Sequence, residues 1–201
     1  MTCTEKWQAA QQRAAQMQEY TPIAWDRMPE LELYMDQVIT FMEKQLAFYR
    51  RTPQSKMLTS SMINNYVKEA LLHRPVNKRY NRMHLAELMV VSMLKPILTM
   101  ADISDLKQSL VSAAPEDLYE NFISAQTEAF REVGQQVAQL CAAETTRDDV
   151  HLALLAMQLA LRANAYRVAA EHLLELLVPE KTEEPKPSKE RKSDKKAVEP
   201  K

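Results

Sequence analysis

The sequence predicts an all-α protein. Three observations carry the prediction: one glycine, Gly134, in 201 residues; a bias toward alanine, leucine, methionine, glutamine and glutamate; and apolar residues recurring at helical spacing along most of the chain. All-β and doubly wound folds need glycine at hairpins, bulges and phosphate loops, where φ is positive or backbones approach closely. One glycine cannot supply them, whereas the favoured residues lose least on entering a helix.

The elements follow in order. Trp7, Ala10, Ala14 and Met17 predict a short helix over residues 5–19, closed at Thr21-Pro22. Leu31, Tyr34, Met35, Val38, Met42, Leu46 and Tyr49 make the stripe of a second helix that stops before Pro53. Thr59 or Ser60 caps a third helix, expected to run from Ser60 to Leu72, with Met62, Ile63, Tyr66, Val67, Ala70 and Leu71 on its apolar side. His73-Arg74-Pro75 ends it, and VNKRYN is short and polar enough for a tight exposed excursion or small hairpin. Between Leu85 and Leu98 only Glu87, Ser92 and Lys95 are plainly polar, which marks a helix buried on most sides and ended at Pro96. Thr99 and Asp102 have capping-box spacing, with Ile103, Leu106 and Leu110 completing a short helix, and the compact part is expected to end near Ala114.

Pro115-Glu116-Asp117 then starts a long helix, proline in its first turn and acids at the positive end of its dipole. Thr146, Asp148 and Asp149 start another, striped by Leu154, Leu161, Ala165, Val168 and Leu176, with Leu155, Leu159, Leu173 and Leu177 off the stripe. A short connection between two long helices predicts an antiparallel pair, and the surplus apolar residues suggest self-association. From Pro179 to Lys201 the chain has four prolines and no periodicity, and reads as a disordered tail.

Charge is unevenly placed in a chain of net charge −1. Residues 50–82 hold eight basic residues against one acidic, a surplus of seven; residues 83–178 hold six against thirteen. Arg50, Arg51, Lys56, Lys68, Arg74, Lys78, Arg79 and Arg82 repel one another unless an anionic partner or acidic surface compensates them. Ser60, Ser61, Asn64 and Asn65 stand among them, residues able to bond base edges or phosphates.

The stretch LTSSMINNYVKEALLHRPVNKRYNRMHLAELMVVSMLKPILTMADISDLKQSL, residues 58–110, resembles in its order of parts the winged helix-turn-helix of MerR-type transcription regulators. Asn64-Asn65-Tyr66 stands where that family has an arginine followed by tyrosines, Ala70-Leu71-Leu72 where a glycine ends the helix, and Pro75 with Lys78-Arg79-Tyr80 at the wing. The departures are Asn64 in place of the arginine, Ala70 in place of the glycine, and a longer gap between the second and third helices. Together with LELYMDQVITFME, the segment is more closely similar to the bacterial family catalogued as domain of unknown function 1836, over about residues 30–112. The resemblance implies a cytoplasmic location and a DNA-binding role.

The expected organisation is an N-terminal helical extension over residues 1–29, a MerR-like DNA-binding domain over 30–112, a helical dimerisation or sensing region over 115–178, and the tail over 179–201. The expected partners are double-stranded DNA and a second copy of the chain. Ser61, Asn64, Asn65 and Lys68 would reach bases or phosphates, and Lys78, Arg79 and Arg82 would grip the flanking backbone. Tyr66 reads as core; Tyr80 divides evenly between core and phosphate contact. The alternative is a non-enzymatic protein-interaction module whose basic segment meets an acidic partner, its own C-terminal helices included.

Other chemistry finds little support. His84 and Glu87 sit three apart but lack further metal ligands nearby, and His151 and His172 stand alone. There is no glycine phosphate loop, no G-x-S-x-G, and no carboxylate pair set among apolar residues, so no catalytic residue, cofactor or metal is expected. Cys3 and Cys141 are isolated thiols after a polar start, which fits a reducing cytoplasm, and the most apolar stretch is broken by Gln158 and Arg162, so no membrane span is expected.

Overall fold

A computed structural model describes residues 1–52 and 54–177, and places seven α-helices and no β-strand among them. They are α1 (Cys3–Glu19), α2 (Met35–Gln45), α3 (Ser60–Lys68), α4 (Arg82–Leu94), α5 (Met100–Ser109), α6 (Pro115–Ala143) and α7 (Asp149–Glu175). The protein is all-α; the tail expected from Pro179 onward lies outside the described residues. Among those residues no helix is long and apolar enough to cross a membrane.

Local capping sets most of the starts. The Thr59 hydroxyl accepts from the Met62 amide at 3.3 Å, Thr99 and Asp102 form the reciprocal box, and Pro115 opens α6. Asn81 caps α4 by accepting from the His84 amide.

Helices α2, α3, α4 and α5 enclose one apolar core of Val38, Met42, Ile63, Tyr66, Leu85, Leu88, Met89 and Ile103. The core does not stop at Ala114. Tyr119 and Ile123, in the first turns of α6, are buried in it, and the Tyr119 hydroxyl donates to the Ile23 carbonyl at 2.9 Å. Trp25 adds a second tie, its amide donating to Glu120 at 2.8 Å.

The pairing expected of α6 is with α7; its most extensive packing is with another helix. The most extensive partner of α6 is α1, which buries Trp7 and Ala14 against it. Gly134 is what permits the approach: a Cβ on it would lie 2.7 Å from the Ala14 carbonyl oxygen and 3.0 Å from the Gln18 amide nitrogen. Tyr20, Phe48, Tyr49 and Phe130 then close the other end of this pair as an aromatic cluster.

α7 starts beside α1, where Lys6 pairs with Asp149 at 2.7 Å and the Trp7 indole donates to the Asp148 carbonyl at 3.2 Å. Its far end returns to the core through Leu174 and lies against α5. Between these anchors a cleft of about 510 Å3, lined by side chains such as Met17, Val137, Leu155 and Leu159, separates it from α1 and α6.

Replacing Gly134 by alanine should cost a net 1–2 kcal/mol, roughly, because a clash with a backbone oxygen falls in the upper part of the overpacking range, ~2–3 kcal/mol, and outweighs a helix-propensity gain of ~1 kcal/mol. Urea unfolding followed by circular dichroism reads this directly; a variant as stable as the parent would refute the close approach.

Candidate nucleic-acid interface

α3 buries Ile63 and Tyr66 and turns the opposite side outward. Ser61, Asn64, Asn65 and Lys68, spaced three, four and seven residues apart, are all exposed on that side. Asn65 also borders α5, its side-chain amide 3.7 Å from the Met100 sulfur.

The helix is shorter than expected, ending at Lys68 rather than Leu72. Ala70 takes φ 57°, the left-handed conformation, and the Leu71 amide donates back to the Tyr66 carbonyl at 2.9 Å. This reversal folds Leu71 and Leu72 into the core. Ala70 therefore holds a conformation that glycine takes without a Cβ penalty.

The exit is held by a buried-edge polar knot. Glu87 on α4 accepts from the His73 amide at 2.9 Å and meets the His73 Nδ1 at 2.5 Å. Lys107 on α5 donates to Glu87 at 2.6 Å and to the Leu71 carbonyl at 3.3 Å, satisfying an oxygen of the reversal that follows α3.

A two-residue hairpin follows. Val76 and Arg79 form an antiparallel bridge around Asn77 (φ 52°) and Lys78 (φ 60°), the geometry of a type I′ turn. Leu33 pairs with Tyr80 at its base through two backbone hydrogen bonds of 2.8 and 2.9 Å. Tyr80 is buried and meets the His84 ring edge-on, and Tyr66 is buried as well, so both tyrosines are core residues. Lys78 and Arg79 are exposed, Arg79 lying over the Tyr34 ring with its guanidinium 5.3 Å from the centroid.

Arg82 departs from the group. Its side chain folds back to donate to the Met28 carbonyl at 3.3 Å, lies 5.8 Å from the Trp25 ring centroid and sits 3.6 Å from Glu30. It fastens the N-terminal segment to the start of α4. Arg50 is likewise engaged internally, by Glu43. The other six cations of the basic segment, Arg51, Lys56, Lys68, Arg74, Lys78 and Arg79, make no ion pair among the described residues. Among the described residues no ion pair joins this segment to α6 or α7. Tyr34, which supports Arg79, was not among the residues expected at the site; its pairing depends on the Leu33–Tyr80 bridge, which no local pattern reveals.

His84 is buried, and its Nδ1 lies 2.6 Å from the Asn81 carboxamide oxygen. Burial, the largest influence, pushes its pKa below the usual 6.5.

The family described as Domain of unknown function (DUF1836) matches residues 23–123, half of the chain. The match takes in both Ile23 and Tyr119–Ile123, the residues that extend the core beyond the expected boundaries. No curated protein and no solved structure matches.

Two outcomes follow from this geometry. Ala70→Gly should stabilise the protein by roughly 0.5–1 kcal/mol, since relief of the left-handed strain (~1–2 kcal/mol) exceeds the added chain entropy; an unchanged or lower urea midpoint would contradict it. Because the folded chain resists protonating His84, the unfolded chain binds the proton first, and stability should fall as the pH drops below 6.5 toward the lowered folded value. In His84→Gln that part of the slope between pH 7 and 5 should vanish, as thermal unfolding across the range would show.

Proposed function

The chain belongs to the DUF1836 family, and from that starting point we propose that it is a sequence-specific DNA-binding transcriptional regulator with a MerR-like winged helix-turn-helix. The reading is carried by one observation: six cations left unpaired by the described residues, set around the exposed polar side of a short helix and on the hairpin that follows it. In this reading α2 and α3 are the helix-turn-helix, α3 enters the major groove, and the Val76–Arg79 hairpin is the wing. Ser61, Asn64 and Asn65 face the base edges, where carboxamides suit adenine, while Lys68, Lys78 and Arg79 hold phosphates. Arg74, Arg51 and Lys56 add phosphate contacts, and Arg82 supports the wing from behind.

Two features support this over neutralisation by the chain's own acids. The two basic-segment arginines that do pair with acids use Glu43 and Glu30, both N-terminal to the segment. And Lys78 occupies a left-handed position that glycine fills at less cost, so the turn keeps a charge where backbone geometry favours none.

The test is retention of genomic fragments by the purified protein, followed by affinity measurements on enriched duplexes across a salt series. Each of Lys68→Ala, Lys78→Ala and Arg79→Ala should weaken binding to all sequences and flatten the slope of log affinity against log salt by about 0.9. Asn64→Ala and Asn65→Ala should alter preference among sequences instead. No retention at low salt would reject the proposal in favour of an acidic protein partner for the same face.

A further inference from the structure

α7 poses a physical contradiction. Its apolar residues are spread around its circumference rather than gathered on one face, yet most of it is exposed. Its own chain holds it at Asp148–Asp149 and at Leu174, with the cleft between. Leu155 and Leu159, off the expected stripe, face that cleft, while Leu154, Leu161, Ala165 and Leu176 of the stripe are exposed on the other side, with Val150 and Met157 beside them.

We propose that the outward face of α7 pairs antiparallel with α7 of a second copy of this chain. Three arguments select that occupant. The chain's own remaining residues, 178–201, hold only Val178, Ala197 and Val198 as apolar side chains besides proline, too few to cover the face. The exposed area reaches the lower end of what a stable interface takes: at roughly 200 Å2 for a large side chain, Val150, Leu154, Met157, Leu161 and Leu176 on this face present about 600 Å2, against about 600–1,000 Å2 per partner.

The spacing is also suited to pairing along the full length. Positions 150, 154 and 157 are followed by 161, 165 and 168, and then by 172 and 176, an eleven-residue repeat. Eleven residues over three turns stay close to the natural period of the α-helix, so two straight helices remain in register without strong supercoiling. A two-fold axis near residue 163 makes the contact isologous, and it places the two Leu174 residues, where each α7 meets its core, roughly 33 Å apart. That is close to one turn of duplex, the separation of two half-sites. The spacing match rests on the DNA-binding reading; the dimer does not.

The experiment is sedimentation equilibrium of the full chain from about 1 to 100 µM, with cysteine cross-linking in a Cys3→Ser background. A dimer is expected, and Leu154→Glu with Leu161→Glu should halve its mass while leaving the helical circular dichroism signal in place. Leu161→Cys should cross-link to itself near the axis, whereas Leu154→Cys, about 27 Å from its mate along the pair, should not. A monomer throughout the range, or a dimer unaffected by the double substitution, overturns the proposal. Cross-linking at both positions overturns its antiparallel sense. A dimer that binds no DNA removes the DNA-binding reading alone, and a monomer that binds DNA removes the pairing alone.

Discussion

The carboxylate of Glu87 is the point on which the arrangement of α3, α4 and α5 turns. It is mostly buried, on a helix whose other side chains are largely apolar, and burying a carboxylate is costly unless it is paired and hydrogen-bonded. The partners come from both sides: the backbone and ring of His73 at the exit of α3, and the ammonium of Lys107 on α5. Because Lys107 also takes up the Leu71 carbonyl, the same residue holds the reversal that follows α3. Three helices that share few local signals are thereby held in one register, and the orientation of the outward side of α3 depends on that register. The apolar core supplies most of the favourable free energy, but it is non-directional; the knot supplies direction.

Backbone strain is concentrated next to this knot. Among the described residues the non-glycine positions with positive φ are Ala70, Asn77 and Lys78, all within nine residues of one another and all in the most basic part of the chain. Asparagine tolerates the left-handed region; alanine and lysine do so at a cost. Such strain persists only where the surroundings over-determine the conformation. Here they do, through the Tyr66 carbonyl on one side and the Leu33–Tyr80 pairing on the other.

How much of this was legible in the sequence depends on how far each cause lies from its effect along the chain. The Thr99–Asp102 box, the Thr59 cap and Pro115 act over three or four residues, and helix starts could be read from them. The single glycine excluded other fold classes, but its position carried no hint that Ala14 and Gln18 pass over it, since that contact spans more than a hundred residues. Eight basic residues could be counted as one segment; that Arg82 and Arg50 turn inward while Lys78 and Arg79 do not is decided by Met28, Trp25 and Glu43. Periodicity likewise found the α7 stripe without saying which way it faces, because a 3.6-residue repeat reports that a face is apolar and not what lies opposite it.

α6 joins the two halves of the molecule as a single rod about 43 Å long. Its first turns are embedded in the core through Tyr119 and Ile123; its last turns lie under α1 and lead into α7. Nothing along it hinges: it contains no internal proline, and Gly134 is clamped beneath α1. A tilt of about 10° at the core end therefore becomes about 7 Å of travel at the far end. The two ends are geared, and whatever holds the distal part of the rod also holds the angle at which it leaves the core.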